Sequence, residues 1–124
     1  MICAAVLADG LTTICHAAQE PEIEDLAKLL NRMGARIRGA GTSTVEIEGV
    51  ERLGGARHEI IPDRIEAGTW IAAVATAGGD VTVRGARADH LDAVLDCFQA
   101  TGLETTEVPG GLRVVREKIG RAHV

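Results

Sequence analysis

Three ionisable residues stand close together in IIPDRIEAGTW, residues 60 to 70: Asp63, Arg64 and Glu66, directly after Pro62 and ahead of a run without charge. Carboxylates can move protons and a guanidinium can hold an anion, so this is the first place to look for chemistry. A structural account covers part of the group. Pro62 forces Ile61 to be extended, Asp63 can cap the first amides of a helix, and Glu66 stands three residues later, where a capping-box acid belongs. Arg64 is left over. A cation in the first turn opposes the helix dipole by roughly a few tenths of a kcal/mol, so its placement calls for an anion or for an acidic partner across a cleft. Glu20, in HAAQEPE, raises the same question at another helix start.

Other patterns are weaker. GAGTS, residues 39 to 43, lacks the third glycine and the lysine of a nucleotide loop, and a strand pattern follows where a phosphate-binding helix would begin, so it reads as a turn. Cys15, His16, His58 and His90 have no ligand spacing on one element, and no metal is expected. No serine carries a nucleophile-elbow signature. Cys3, Cys15 and Cys97 form no C-x-x-C pair and lack flanking basic residues apart from His16; they are expected to be reduced, buried and inert, in a cytoplasmic protein.

These residues need elements to place them. Ile23, Leu26, Ala27, Leu30 and Met33 follow the i, i+3, i+4, i+7 pattern of an amphipathic helix, with Pro21 in its first turn, Glu20, Glu22 and Glu24 at its positive end and Gly34 closing it. Thr12 to Cys15 reads as a strand before it, and ARIRGAGTSTVEIEG as a hairpin after it. A second round predicts a strand over 58 to 61, an Ala-rich helix over 63 to 77, a strand over 81 to 84, and a helix over 89 to 101 with Leu91, Val94, Leu95 and Phe98 on one face. Two strands flank Pro109-Gly110-Gly111, and MICAAVLADG reads as part of a helix over 1 to 9.

The two rounds are one pattern used twice. With a shift of 69, Ile2, Ala4, Ala8, Gly10, Thr13 and Ala17 fall on Ile71, Ala73, Ala77, Gly79, Thr82 and Ala86; with a shift of 68, Ile23, Leu26 and Gly34 fall on Leu91, Val94 and Gly102. The complete unit would be β-α-β-α-β-β, with the first copy truncated at its front. Small residues let helices approach closely, which makes the Ala-rich helices candidates for the inside of the fold. The 124 residues, 46% of them apolar, allow one core or a piece of a larger one. A net charge of -5 argues against nucleic acid and anionic lipid as partners. The longest uncharged run, Ala67 to Gly79, falls short of the ~18 residues a membrane span needs.

HAAQEPEIEDLAKLLNRMGARIRGAGTSTVEIEGVERLGG, HEIIPDRIEAGTWIAA and ADHLDAVL together resemble the UDP-N-acetylglucosamine 1-carboxyvinyltransferases, over residues 1 to about 116. The resemblance implies an α/β (α+β) fold: repeated β-α-β-α-β-β units of an inside-out α/β barrel, three per domain in two domains, with helices inside. On that basis residues 1 to 118 are part of one domain, about one and a half units, and IGRAHV, residues 119 to 124, is a non-native tail. The implied reaction moves the enolpyruvyl group of phosphoenolpyruvate onto the 3-hydroxyl of UDP-N-acetylglucosamine, by addition and elimination, with no cofactor. The family's cysteine nucleophile has no match in Cys3, Cys15 or Cys97, and its Lys-Asn pair and later catalytic Asp have none either, so the chain is expected to be inactive alone. Glu20, Asp63 and Arg64 match family positions at helix starts expected to face the cleft. His16, Ala88 and Trp70 depart from the usual Asn, Pro and Tyr or Phe. Two alternatives stand beside this reading: an enolpyruvylshikimate-phosphate synthase-like relative, and a stand-alone binding domain of the same fold.

Overall fold

The structure, a computed structural model, describes residues 1–117; the tail read from IGRAHV lies outside the described residues. The chain divides between Ile61 and Pro62 into two compact units. The first contains α1 (Ile2–Ala5), β1 (Leu11–Cys15), α2 (Pro21–Arg32), β2 (Arg36–Arg38) and β3 (Thr44–Glu48). The second contains α3 (Arg64–Ala77), β4 (Gly79–Arg84), α4 (Asp92–Gln99), β5 (Glu104–Val108) and β6 (Gly111–Arg116).

The internal repeat is visible in the topology. Each unit holds a three-stranded antiparallel sheet whose last strand is central, in the orders β1-β3-β2 and β4-β6-β5. The inward residues of the central strands correspond: Val45 and Ile47 in β3, Leu112 and Val114 in β6, all buried. Helix residues aligned by the repeat are buried alike. Ile2, Ala5 and Val6 pack into the first core, and Ile71, Val74 and Ala75 into the second. Gly34 and Gly102, at φ 106 and 88, leave the helical region just past α2 and α4, a turn that L side chains resist.

Local interactions fix the register. Arg36 and Arg38 stand opposite Glu48 and Glu46 across the β2–β3 pair, with ion pairs of 3.3 and 3.4 Å. The Asn31 side chain grips the edge strand β2 at both backbone groups of Ile37, accepting its N–H at 2.9 Å and donating to its C=O at 3.1 Å. The GAGTS segment is the turn expected: the Thr42 hydroxyl donates to Gly39 C=O, and the Thr42 amide does so at 3.0 Å.

Four expectations need correction. The helix over 1 to 9 is confined to Ile2–Ala5, because Val6 C=O, which would accept from Gly10 in a longer helix, accepts from the Val50 amide at 2.9 Å. Residues 58 to 61 form no strand and belong to the first unit, not to the front of the second; His58 is held there by side chains of α2. The helix over 89 to 101 is shortened to Asp92–Gln99 after a 3-10 turn at Ala88–His90, because Leu91 leaves helical geometry while its side chain enters the core. The three cysteines are exposed, not buried: Cys15 follows the outward alternation of β1, and Cys3 and Cys97 lie off the core-facing positions of their helices. None is in a disulfide.

One departure acquires a physical meaning. His16 closes β1 at φ 52, the left-handed region that asparagine enters more readily than histidine. Replacement His16→Asn is expected to raise stability by roughly 0.5 kcal/mol, visible as a higher midpoint in urea. In the second sheet, both Nε and Nη2 of Arg113 donate to Asp80, Nε at 2.9 Å, and this hydrogen bonding holds the Asp80 carboxyl below its ordinary range against the opposing effect of desolvation. A depressed carboxyl contributes stability above its unfolded pKa, and that contribution disappears as the pH falls through the folded value. In an NMR titration, Arg113→Ala is expected to move the Asp80 transition upward to the ordinary carboxylate range; an unmoved transition would contradict the pairing.

Candidate functional site

The helix start at Pro62-Asp63-Arg64 is built as the sequence requires. Asp63 is extended at φ -71 and ψ 104, and its Oδ1 accepts the amides of Ile65 and Glu66 at 2.8 and 3.2 Å. Both bonds use Oδ1, which leaves Oδ2 outside the cap. Arg64 is the first residue of α3 and is half-buried. Glu66 supplies a second acid in the first turn, favourable at the positive end of the helix.

Asp63 and Glu66 line a cleft of about 220 Å³ in the second unit with Pro62, Trp70, Val83 and Arg84. The alternation of β4 keeps Val83 half-buried and Arg84 exposed. Trp70 is 57% exposed and presents its indole to the same space. Two carboxylates, a guanidinium and an aromatic wall can bind a small polar molecule and exchange protons with it. Arg84 escaped the sequence reading; the available signal was a charged residue ending a strand directly before a glycine turn.

Glu20 lies in the first unit, at the N-cap of α2, with extended backbone at φ -63 and ψ 151. Its carboxylate makes no cap bond, while its C=O accepts from the Ile23 amide at 3.0 Å. Pro21 at the first helical position removes one amide that would otherwise need a partner. The acid therefore stands at the positive end of α2 without being consumed by it. The first unit also has an apolar cavity of about 390 Å³ between Ile2, Ile14, Ile23, Leu26 and Val45, with Cys3, Cys15 and His16 along its edge. Among the described residues, no group of His, Cys, Asp or Glu is arranged to hold a metal. His58 and His90 instead face Asp25 and Asp89. The Arg87 guanidinium, donating to Asp89 at 3.2 and 2.8 Å, holds that carboxyl below its usual range.

Comparison with known proteins gives a consistent set of relatives. Residues 1–123 match the family described as EPSP synthase (3-phosphoshikimate 1-carboxyvinyltransferase). The UDP-N-acetylglucosamine 1-carboxyvinyltransferase of Methylobacterium radiotolerans is 59% identical over 121 residues, 98% of this chain and 28% of that protein. Those of Methylobacterium nodulans and Chelativorans sp. are each 57% identical, over 98% and 97% of this chain and 28% of theirs. The chain thus spans about 28% of the length of these relatives. Among solved structures, the enolpyruvyl transferase NikO from Streptomyces tendae matches with a TM-score of 0.68 and 27% identity, over 90% of this chain and 27% of that one. EPSP synthase from Acinetobacter baumannii matches with a TM-score of 0.55 and 20% identity, over 92% of this chain and 27% of its own. The repeated α/β architecture is therefore that of the enolpyruvyl transferases.

Capping predicts how Asp63 substitutions separate. Asp63→Ala removes both amide bonds and is expected to cost about 1 kcal/mol in chemical denaturation, whereas Asp63→Asn, which keeps a side-chain oxygen, should cost well under half of that. Equal losses would show that the charge, rather than the cap, carries the stability.

Proposed function

We propose that this chain, which belongs to the EPSP synthase (3-phosphoshikimate 1-carboxyvinyltransferase) family, is part of an enzyme that transfers the enolpyruvyl group of phosphoenolpyruvate to the 3-hydroxyl of UDP-N-acetylglucosamine. The observation that carries this reading is the 59% identity, over 98% of the chain, to a protein named for that transfer. The acceptor hydroxyl gives its proton to a base as its oxygen bonds to C2 of the enolpyruvate and C3 takes a proton from an acid; loss of a proton from C3 and of phosphate from C2 then restores the vinyl group. The reaction needs acids and bases near C3 and cations around the phosphate. Within this chain, Arg64, which does not line the cleft bounded by Arg84, is assigned to hold negative charge at the start of α3, Asp63 to fix that helix start, and Glu20 to supply a carboxylate at the other helix start. The cysteine nucleophile and the other phosphate ligands would come from the remaining part of the enzyme.

The reaction feeds peptidoglycan precursor synthesis, and the proposed compartment is the cytoplasm. No helix among the described residues is long and apolar enough to cross a membrane. The exposed apolar side chains of α3, Ile65 at 63% and Trp70 at 57%, suit a helix that the rest of a larger enzyme covers. The description of the matching family favours one second reading, shikimate 3-phosphate as acceptor, as in the synthase named there.

Phosphate release by the full-length protein carrying this chain distinguishes the two acceptors. Release is expected with phosphoenolpyruvate and UDP-N-acetylglucosamine, and none with shikimate 3-phosphate; the reverse pattern would overturn the assignment. The chain alone should release none. Arg64→Ala in the full-length protein is expected to lower kcat by about 100-fold, by more than any accompanying fall in thermal midpoint accounts for. An activity loss that merely follows the loss of folded protein would make the role of Arg64 structural and overturn its assignment to the anion.

A further inference from the structure

One place of the internal repeat is filled in the second unit and open in the first. In the second unit the first half of α3 packs over the start of α4 and the central strand. Ala67 is buried in one cluster with Ile71, Leu91 and Leu112. A side chain at Gly68 would bring its Cβ to 3.9 Å from both Val94 methyls and 4.0 Å from Leu91 Cδ2, so α3 lies directly against α4 there. Leu91 is accordingly only 2% exposed.

The equivalent side chains of the first unit have no such cover. By the repeat, Ile23 and Leu26 stand for Leu91 and Val94, and by the strand pairing Ile14 opposite Val45 stands for Val83 opposite Leu112. Together with Ile2 these residues line the apolar cavity of about 390 Å³. Ile23 is half-buried where Leu91 is buried. The helices account for the difference. α3 runs Arg64–Ala77 whereas α1 runs Ile2–Ala5, so with Ile2 on Ile71 the residues from Arg64 to Trp70 have no equivalent in α1. They amount to two turns, about 10 Å of helix. No Asp, Glu, Lys or Arg side chain lines the cavity, so its walls suit an apolar occupant.

We propose that this cavity is the seat of two helical turns that continue α1 toward its N-terminal side, turning a small or apolar face to Ile23, Leu26 and Val45. The occupant is supplied in the full-length protein by the residues directly preceding Met1; the chain spans about 28% of the length of its relatives, which leaves such a segment to the rest of the enzyme. The inference rests on the repeat and not on the acceptor or the reaction proposed above, so either can fail without the other.

The first amides of a helix have no acceptor within it, whereas Ile71 and Ala72, the equivalents of Ile2 and Cys3, lie well inside α3. Hydrogen exchange at the Ile2 and Cys3 amides, fast in the 124-residue chain, is therefore expected to slow at least about 100-fold in the full-length protein. Equally fast exchange in both would overturn the proposal. Leu26→Trp puts a large side chain into the seat. It is expected to leave the thermal midpoint of the chain alone unchanged or raised, and to lower that of the full-length protein by about 3 °C. No fall in the full-length protein would contradict an occupied seat, and an equal fall in the chain alone would contradict an open one. Toluene should shift the methyl resonances of Ile14, Ile23 and Leu26 in the chain and leave them in place in the full-length protein; shifts in both would assign the cavity to a small apolar ligand and sink the proposal. A dimer of the chain alone that Leu26→Trp abolishes would make a second copy the occupant, with the same consequence.

Discussion

Each unit depends on its last strand. β3 carries the ladders to both β1 and β2, and β6 those to both β4 and β5, so all inter-strand bonds of a sheet run through the strand that the chain supplies last. The same strands contribute Val45, Ile47, Leu112 and Val114, among the most deeply buried side chains of the two cores. A sheet of this kind cannot form progressively from its N-terminal edge. Closure of the loop that brings β3 back to β1, with Leu11 opposite Glu48, must precede most of the hydrogen bonding and apolar burial it makes possible. The side chains that tie edge to centre, Arg36 and Arg38 against Glu48 and Glu46, then set register where hydrophobic alternation alone would leave the exposed face unspecified.

Much of this was legible because it is local or repeated. Pro21, Gly34 and Gly102 act through backbone geometry that neighbours hardly alter, and the periodic residues of α2 identify a face without reference to what covers it. The repeat added a long-range constraint, since residues that match between copies must fill equivalent places. What escaped was decided across the chain. Leu91 fits the apolar face of a helix, yet core packing draws it out of helical geometry. The short α1 follows from Gly49 and Val50 taking the carbonyls of Gly10 and Val6, residues 39 and 44 positions away. HEII has the composition of a strand, but a strand needs an adjacent ladder, and His58 finds side-chain partners on α2 in its place.

The candidate site was legible in part for the same reason. Pro62 and Asp63 announce a helix start by local rules, and the structure realises both bonds of the cap. Trp70 and Arg84 join the cleft through the packing of α3 beside β4, which no local rule places. Cysteine exposure failed in the opposite direction, because composition statistics favour burial whereas β1 alternation sends Cys15 outward.

Helix starts are economical places for anion chemistry, because the amides that a cap leaves unpaired add to the field of any nearby cation. The two starts here use their acids differently. At α3 the carboxylate of Asp63 closes the cap and so neutralises part of that field, and Glu66 adds negative charge in the first turn. At α2 the Glu20 carboxylate leaves the cap open, and Glu22 and Glu24 add further negative charge in the first turn. The first start therefore spends its N-cap carboxylate on the helix amides, whereas the second does not. The repeat equates α2 with α4 and α3 with α1, so the two starts occupy different places in the unit and their acids answer to different local requirements.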